Sequence, residues 1–165
     1  MPAELQIRRV TPEDWRDLKA LRLEALEDTP LGFLETLESA RELPDDAWQA
    51  RAARGAEGGE AFQVMAWAGD RPVGNCVCFL RDGAAWLAAV YVAPEHRGQG
   101  LLHTLAERCA QWGRERGNDV LRLEVHEDNA RARTAYARLG FRDTGARADY
   151  PLPPYGQELV MERPL

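Results

Sequence analysis

Residues 61–92 carry three consecutive runs of strand character, Ala61–Ala68, Val73–Leu80 and Ala84–Val92. Only Gly69-Asp70-Arg71-Pro72 and Arg81-Asp82-Gly83 separate them. Links this short cannot carry a parallel crossover, so the three runs must form an antiparallel meander. The third run passes through Ala93-Pro94 into Glu95-His96-Arg97-Gly98-Gln99-Gly100. Apolar residues at Leu101, Leu102, Leu105, Ala106, Cys109 and Trp112 then follow at helical spacing, up to a stop at Gly117. The expected fold class is therefore α/β (α+β), with a mixed, mostly antiparallel sheet flanked by helices.

The flanks extend this pattern. Leu5–Val10 alternates like a strand, and Thr11-Pro12-Glu13-Asp14 supplies an N-cap, an N1 proline and first-turn acids for a helix. That helix carries Trp15, Leu18, Leu21, Leu23 and Leu26, and Thr29-Pro30 ends it. A weaker helical stretch covers Phe33–Ala40, and Pro44-Asp45-Asp46 caps another through Trp48 to Gly55. Later, Val120–His126 alternates with Leu121, Leu123 and Val125 on one face and Arg122, Glu124 and His126 on the other. Asn129–Leu139 is helical and stops at Gly140, and Phe141–Thr144 and Glu158–Glu162 are two last strands around Pro151–Pro154. At 165 residues, 45% of them hydrophobic and with no internal repeat, residues 1–165 are expected to form a single domain.

Several classes fall away. No run approaches the about twenty apolar residues of a membrane span. The N-terminus has neither an apolar h-region nor a cleavage site, so export is not expected. Cys76 and Cys78, one residue apart on one strand face, are poorly placed to close a disulfide, and a reducing, cytoplasmic setting is expected. With Cys109 and three histidines they match no zinc spacing, so no metal is expected. Net charge is −6, yet Arg97–Arg147 holds ten arginines against seven carboxylates. A basic segment in an acidic chain argues against general nucleic-acid binding while allowing a local anionic ligand, and with no spanning run no membrane partner is expected.

In Val90-Tyr91-Val92-Ala93-Pro94-Glu95-His96-Arg97-Gly98-Gln99-Gly100-Leu101-Leu102 a strand runs through a glycine turn into a helix. Amides left free at such a start, with the helix dipole behind them, suit phosphate oxygens. The turn is neither a Walker loop, lacking Gly-Lys-Ser/Thr, nor a dinucleotide fingerprint, lacking the third glycine. Read alone, it is equally a tight turn with glycines for geometry. The second chemical stretch runs from Leu123-Glu124-Val125-His126 through Asn129, Ala132 and Tyr136 to Gly140-Phe141.

Together these segments resemble the GCN5-related N-acetyltransferase (GNAT) superfamily. Arg97, Gly100 and Leu102 are similar to its Arg/Gln-x-x-Gly-x-Gly/Ala pyrophosphate motif, with Leu102 where a small residue is usual. Asn129, Ala132, Tyr136, Gly140 and Phe141 are similar to its Asn-x-x-Ala-x-x-x-Tyr and Gly-Phe motif. The resemblance implies acetyl-CoA as co-substrate and an acyltransferase moving acetyl to a primary amine, on a peptide or a small molecule, by direct attack in a ternary complex. It implies that Arg97, Gly98, Gln99, Gly100, Leu101 and Leu102 cradle the pyrophosphate. Val90, Tyr91 and Val92 would hold the pantetheine, and Asn129 the cofactor arm. Arg131 and Arg133 are expected near the ribose phosphate.

Tyr136 is expected to serve the departing thiolate and Glu124 to take the amine proton. The Glu124, Asn129 and Tyr136 spacing resembles the branch that acetylates protein N-termini. Glu124 could equally be a solvated acid beside Arg122, and His126 is the alternative base. Ala88 and Ala89 leave the family's other base position empty. On the acceptor side Glu35, Glu38, Glu42, Asp45 and Asp46 either attract a cationic amine or are solvated helix faces. A non-catalytic acyl-CoA-binding sensor is the rival reading, and a homodimer is left open.

Overall fold

The computed structural model describes residues 4–165. Its strands are β1 (Leu5–Arg9), β2 (Ala61–Ala68), β3 (Arg71–Arg81), β4 (Ala84–Val92), β5 (Val120–His126), β6 (Arg142–Asp149) and β7 (Gln157–Pro164). Its helices are α1 (Trp15–Asp28), α2 (Leu37–Arg41), α3 (Asp45–Glu57), α4 (Leu101–Glu115) and α5 (Ala130–Arg138). The strands form one sheet in the order β1-β2-β3-β4-β5-β7-β6, antiparallel throughout except for the parallel β4–β5 pair. The mixed, mostly antiparallel sheet is as expected, and the meander is its centre.

Two differences from the sequence reading have local causes. The helical stretch expected over Phe33–Ala40 starts only at Leu37: Pro30–Gly32 is a 3-10 turn, Phe33 is extended, and the Thr36 side chain caps α2 by accepting from the Ser39 amide. The last two strands are longer than Phe141–Thr144 and Glu158–Glu162, because mutual pairing carries them past the apolar run.

Register divides the sheet into two faces. Cys76, Cys78, Ala85, Leu87, Leu121, Leu123, Leu159 and Met161 are all buried on the face covered by α4. Gly74 lets the helix close on the sheet: a Cβ there would lie 3.0 Å from Leu105 Cδ1 and 3.2 Å from Leu101 Cδ2. Leu105 is fully buried, so truncating it to Ala would cost about 2–5 kcal/mol. The opposite face carries Gln63, Met65, Asn75, Val77, Trp86, Arg122 and Glu124, and α1 and α3 cover part of it.

The pairing of β4 with β5 is confined to Ala85↔Leu121 and Trp86↔Arg122, although both strands run on. A bulge explains the parting. Ala89 stands at φ 52°, the β3–β4 register shifts between Asn75 and Val77, and the Asn75 side chain donates to the Ala89 carbonyl at 2.8 Å. This turns β4 away from β5 and leaves the main chain of Val90 to Val92 without a β5 partner.

Candidate active site

Where β4 and β5 part, a cavity of about 660 Å³ opens. Val90, Tyr91 and Val92 form one wall, and Arg97, Gly98, Gly100, Leu101 and Leu102 form the end. The remaining wall includes Glu124, Asn129, Arg131 and Tyr136. Of the motif residues expected from the sequence, Gln99 is not part of the lining; its side-chain amide donates to the Glu95 carbonyl at 3.2 Å. Arg133 also stands apart, donating to the Glu127 carbonyl at 2.9 Å.

The glycine turn is built for an anion. Thr104 N–H to Gly100 O is the first helical bond of α4, and the six amides from Gly98 to His103 have no acceptor among the described residues. Gly98 and Gly100 stand at φ 74° and 86°, and a Cβ on either would meet nothing within 4 Å. Glycine is therefore required there for backbone conformation, not for space. Leu102 is half-buried against the core and also lines the cavity beside these amides. The Asn129 side chain accepts from the Ala132 amide at 3.3 Å, which makes it the N-cap of α5 as well as part of the cavity wall.

Arg97 is already engaged. Its Nε donates to the Val92 carbonyl at 2.9 Å and its Nη2 pairs with Asp28 at 2.6 Å, while Arg131 donates to Thr29 Oγ1 at 3.0 Å. Asp28, held below the usual carboxylate range chiefly by the Arg97 hydrogen bond, joins the end of α1 to both arginines. Nothing in local sequence signals this, because Asp28 and Arg97 are brought together only by tertiary packing.

Tyr136 projects from α5 into the cavity wall and is buried, its ring edge-on to Phe141 with centroids 6.0 Å apart. Burial pushes its phenol well above its ordinary value, so the hydroxyl keeps its proton at neutral pH. Glu124 reaches the same cavity from β5. Its Oε1 accepts from Arg81 Nη2 at 2.6 Å, and Arg81 in turn lies 3.8 Å over the Trp86 ring. Arg122, the neighbour expected for Glu124, pairs instead with Glu162 at 2.9 Å.

His126 does not fit the alternative-base reading. It is 1% exposed rather than on the surface. Its Nδ1 accepts from the Asp128 amide at 3.0 Å, so Nε2 carries the proton and donates to the Tyr155 carbonyl at 2.6 Å. Both ring nitrogens are thus engaged within the fold. Behind Glu124 the structure adds a residue that sequence reasoning missed, Glu158, directly opposite His126 across the β5–β7 pair and buried. Burial, then the charge of Glu124, pushes the Glu158 carboxyl up to about 6. Its only sequence signal was a carboxylate at the start of the last strand.

The expected acceptor-side acids separate. Glu35 is half-buried between Arg22 (2.8 Å) and Arg51 (2.7 Å). Burial alone would raise its carboxyl, but the two guanidiniums outweigh that and hold it below its ordinary range. Asp45 pairs with Lys19 at 3.5 Å, Glu38 and Asp46 are exposed helix residues, and Glu42 is exposed at the end of α2. They do not form a collective cation-attracting wall. Among the described residues no group of His, Cys, Asp and Glu is arranged to hold a metal, and no helix is long and apolar enough to cross a membrane. All three cysteines are free and buried.

The profile of the "Acetyltransferase (GNAT) family" matches residues 16–141. A streptothricin acetyltransferase of Streptomyces lavendulae is 46% identical over 56 residues, 34% of this chain and 30% of that protein. A thialysine N-epsilon-acetyltransferase of Bos taurus is 38% identical over 58 residues, 35% of this chain and 34% of that protein. The matched stretches thus span about a third of these relatives. Among solved structures, the PaiA N-acetyltransferase of Thermoplasma acidophilum in complex with coenzyme A superposes with a TM-score of 0.80. It covers 98% of this chain and 99% of its own, at 19% identity, a likeness of fold.

Proposed function

Because the chain belongs to the acetyltransferase (GNAT) family, we propose that it is one N-acetyltransferase domain that moves an acetyl group from acetyl-CoA to a primary amine by direct attack in a ternary complex. The observation that carries this reading is that Glu124 and Tyr136, from separate elements, line one cavity with a row of six free amides at its end. When bound, acetyl-CoA supplies an activated thioester. The amides from Gly98 to His103 are placed to bind its phosphates, with Arg97 and Arg131 beside them. The main-chain groups of Val90 and Tyr91 that lack a β5 partner are free to bond its amide-bearing arm, beside the Val92 carbonyl that Arg97 Nε holds.

Glu124 presents a carboxylate to the acceptor side, where it takes the proton that the amine must lose. Arg81 holds one of its oxygens, which orients the carboxylate. Tyr136 keeps the proton on its hydroxyl, since burial disfavours the phenolate, and so presents a hydrogen-bond donor to a departing thiolate. Cys109 on α4 and Cys76 and Cys78 on β3 are buried and free, and Cys109 is pushed well above the usual thiol range by burial and by Cys76 and Cys78. That argues against a covalent acyl-cysteine route and is consistent with a reducing cytoplasm.

Thiol release from acetyl-CoA, measured against a panel of amines and short peptides, tests the reading. Turnover should fall by on the order of 10²–10⁴ in Tyr136→Phe at every pH. In Glu124→Gln the loss should be partly recovered as pH rises and the amine deprotonates unaided. A protein that binds CoA yet releases no thiol with any amine would instead be the sensor module.

A further inference from the structure

A second cavity, of about 200 Å³, lies between α1, α3 and the sheet. Its wall holds three guanidiniums, Arg22, Arg51 and Arg54, and no carboxylate. The acid behind it, Glu35, accepts from Arg22 Nε at 2.8 Å and from Arg51 Nη2 at 2.7 Å. Arg54 has no carboxylate partner among the described residues, so three positive charges share one negative charge. The Arg22 side chain is only 19% exposed, and its two terminal amino groups have no acceptor among the described residues. Arg51 is 39% exposed and Arg54 is exposed, so Arg22 is the least solvated of the three, and its unpartnered N–H groups gain most from an added anion.

The cavity is also placed for the reaction. The register Val77↔Ala88, Phe79↔Trp86 and Trp86↔Arg122 puts its floor on the sheet face that carries Glu124. Tyr91 lines both cavities, and its buried hydroxyl has no hydrogen-bond partner. Ala89, in the second cavity's wall, directly precedes Val90 in the first. A volume of about 200 Å³ is below the about 300–1,000 Å³ of sites for drug-sized ligands, so it admits a small group and not a folded chain.

Building on the acetyltransferase reading, we propose that the acceptor is a small amine that also carries an oxyanion, as a free amino acid does. Arg22, Arg51 and Arg54 hold the oxyanion while the amine extends along the sheet face toward Glu124. Guanidinium forks match a carboxylate or phosphonate bidentately, which makes the recognition geometric as well as electrostatic.

The test uses full-length protein and matched sets of acceptor: amino acids, their carboxamides, their decarboxylated amines and their aminophosphonate analogues. Turnover is followed by thiol release, and binding to the CoA-saturated protein by calorimetry. Acids should be preferred over carboxamides by on the order of tenfold or more in both readouts, with the preference shrinking as salt rises. Arg54→Gln, at an exposed position, and Arg22→Gln should each bring the acid-to-amide ratio toward one. Equal use of acids and amides, or a preference that survives both variants, overturns the proposal. Arginine-dependent binding of acids without any thiol release would support the pocket and overturn the acetyltransferase reading. Preference for phosphonates over carboxylates would assign the pocket to the former anion.

Discussion

Replacing Glu158 by glutamine should make the protein more stable at neutral pH, although it alters a buried polar residue. Glu158 is 7% exposed, and burial together with Glu124 raises its carboxyl from 4.5 in the unfolded chain to about 6 in the fold. Glu124, His126 and Tyr150 face this carboxyl, and Arg81 reaches it only through Glu124. The rise corresponds to about 2 kcal/mol. Below pH 4.5 Glu158 is protonated in both states and costs nothing. Between 4.5 and 6 the unfolded chain loses the proton first, so stability falls through that window and stays lower above it. The glutamine side chain would carry no charge at any pH. Thermal melts followed by circular dichroism should show Glu158→Gln above the wild type by about 4–8 °C at about pH 8, with the gap closing toward pH 4.5. A gap that is the same at about pH 5 and about pH 8, or a less stable variant at the higher pH, would refute the reasoning.

Gly100→Asp should fold, since a Cβ there meets nothing, at a cost of about 1 kcal/mol for its φ of 86°. Its carboxylate should lower CoA affinity more than tenfold by calorimetry; unchanged affinity would remove the amide row as the phosphate site. Asp28→Asn should tighten CoA binding, most at low salt, by releasing Arg97 and Arg131 from their shared carboxylate; weaker binding would show that Asp28 positions them instead. His126→Phe should lower stability by about 1–3 kcal/mol, because it strands the Asp128 amide and the Tyr155 carbonyl. The folded fraction of that variant should keep the wild-type pH profile, and a lost basic or acidic limb would reinstate His126 as a base.

By itself the sequence determined what local chemistry can determine. Turns of four and three residues forced β2, β3 and β4 into a meander, and period-2 alternation put Glu124 on the polar face of β5. Gly98 and Gly100 marked a turn that only glycine adopts, and the α4 stripe marked a helix behind it. Those residues recur around one cavity because each owes its place to its own element. The tertiary structure decided everything that depends on which elements meet. The Ala89 bulge and the Asn75 side chain set where β4 leaves β5, and no period in the sequence registers a single strained residue. His126 reads as a candidate base from alternation, yet Tyr155, 29 residues on, meets its Nε2 while the Asp128 amide holds Nδ1, and the ring is buried. Glu35 counts as part of an acidic run, but Arg22 and Arg51 from two helices turn its surroundings net positive. The physical reason is common to all of these. Conformational preference and periodicity act over a few residues, whereas desolvation and ion pairing depend on neighbours that folding brings together from distant parts of the chain.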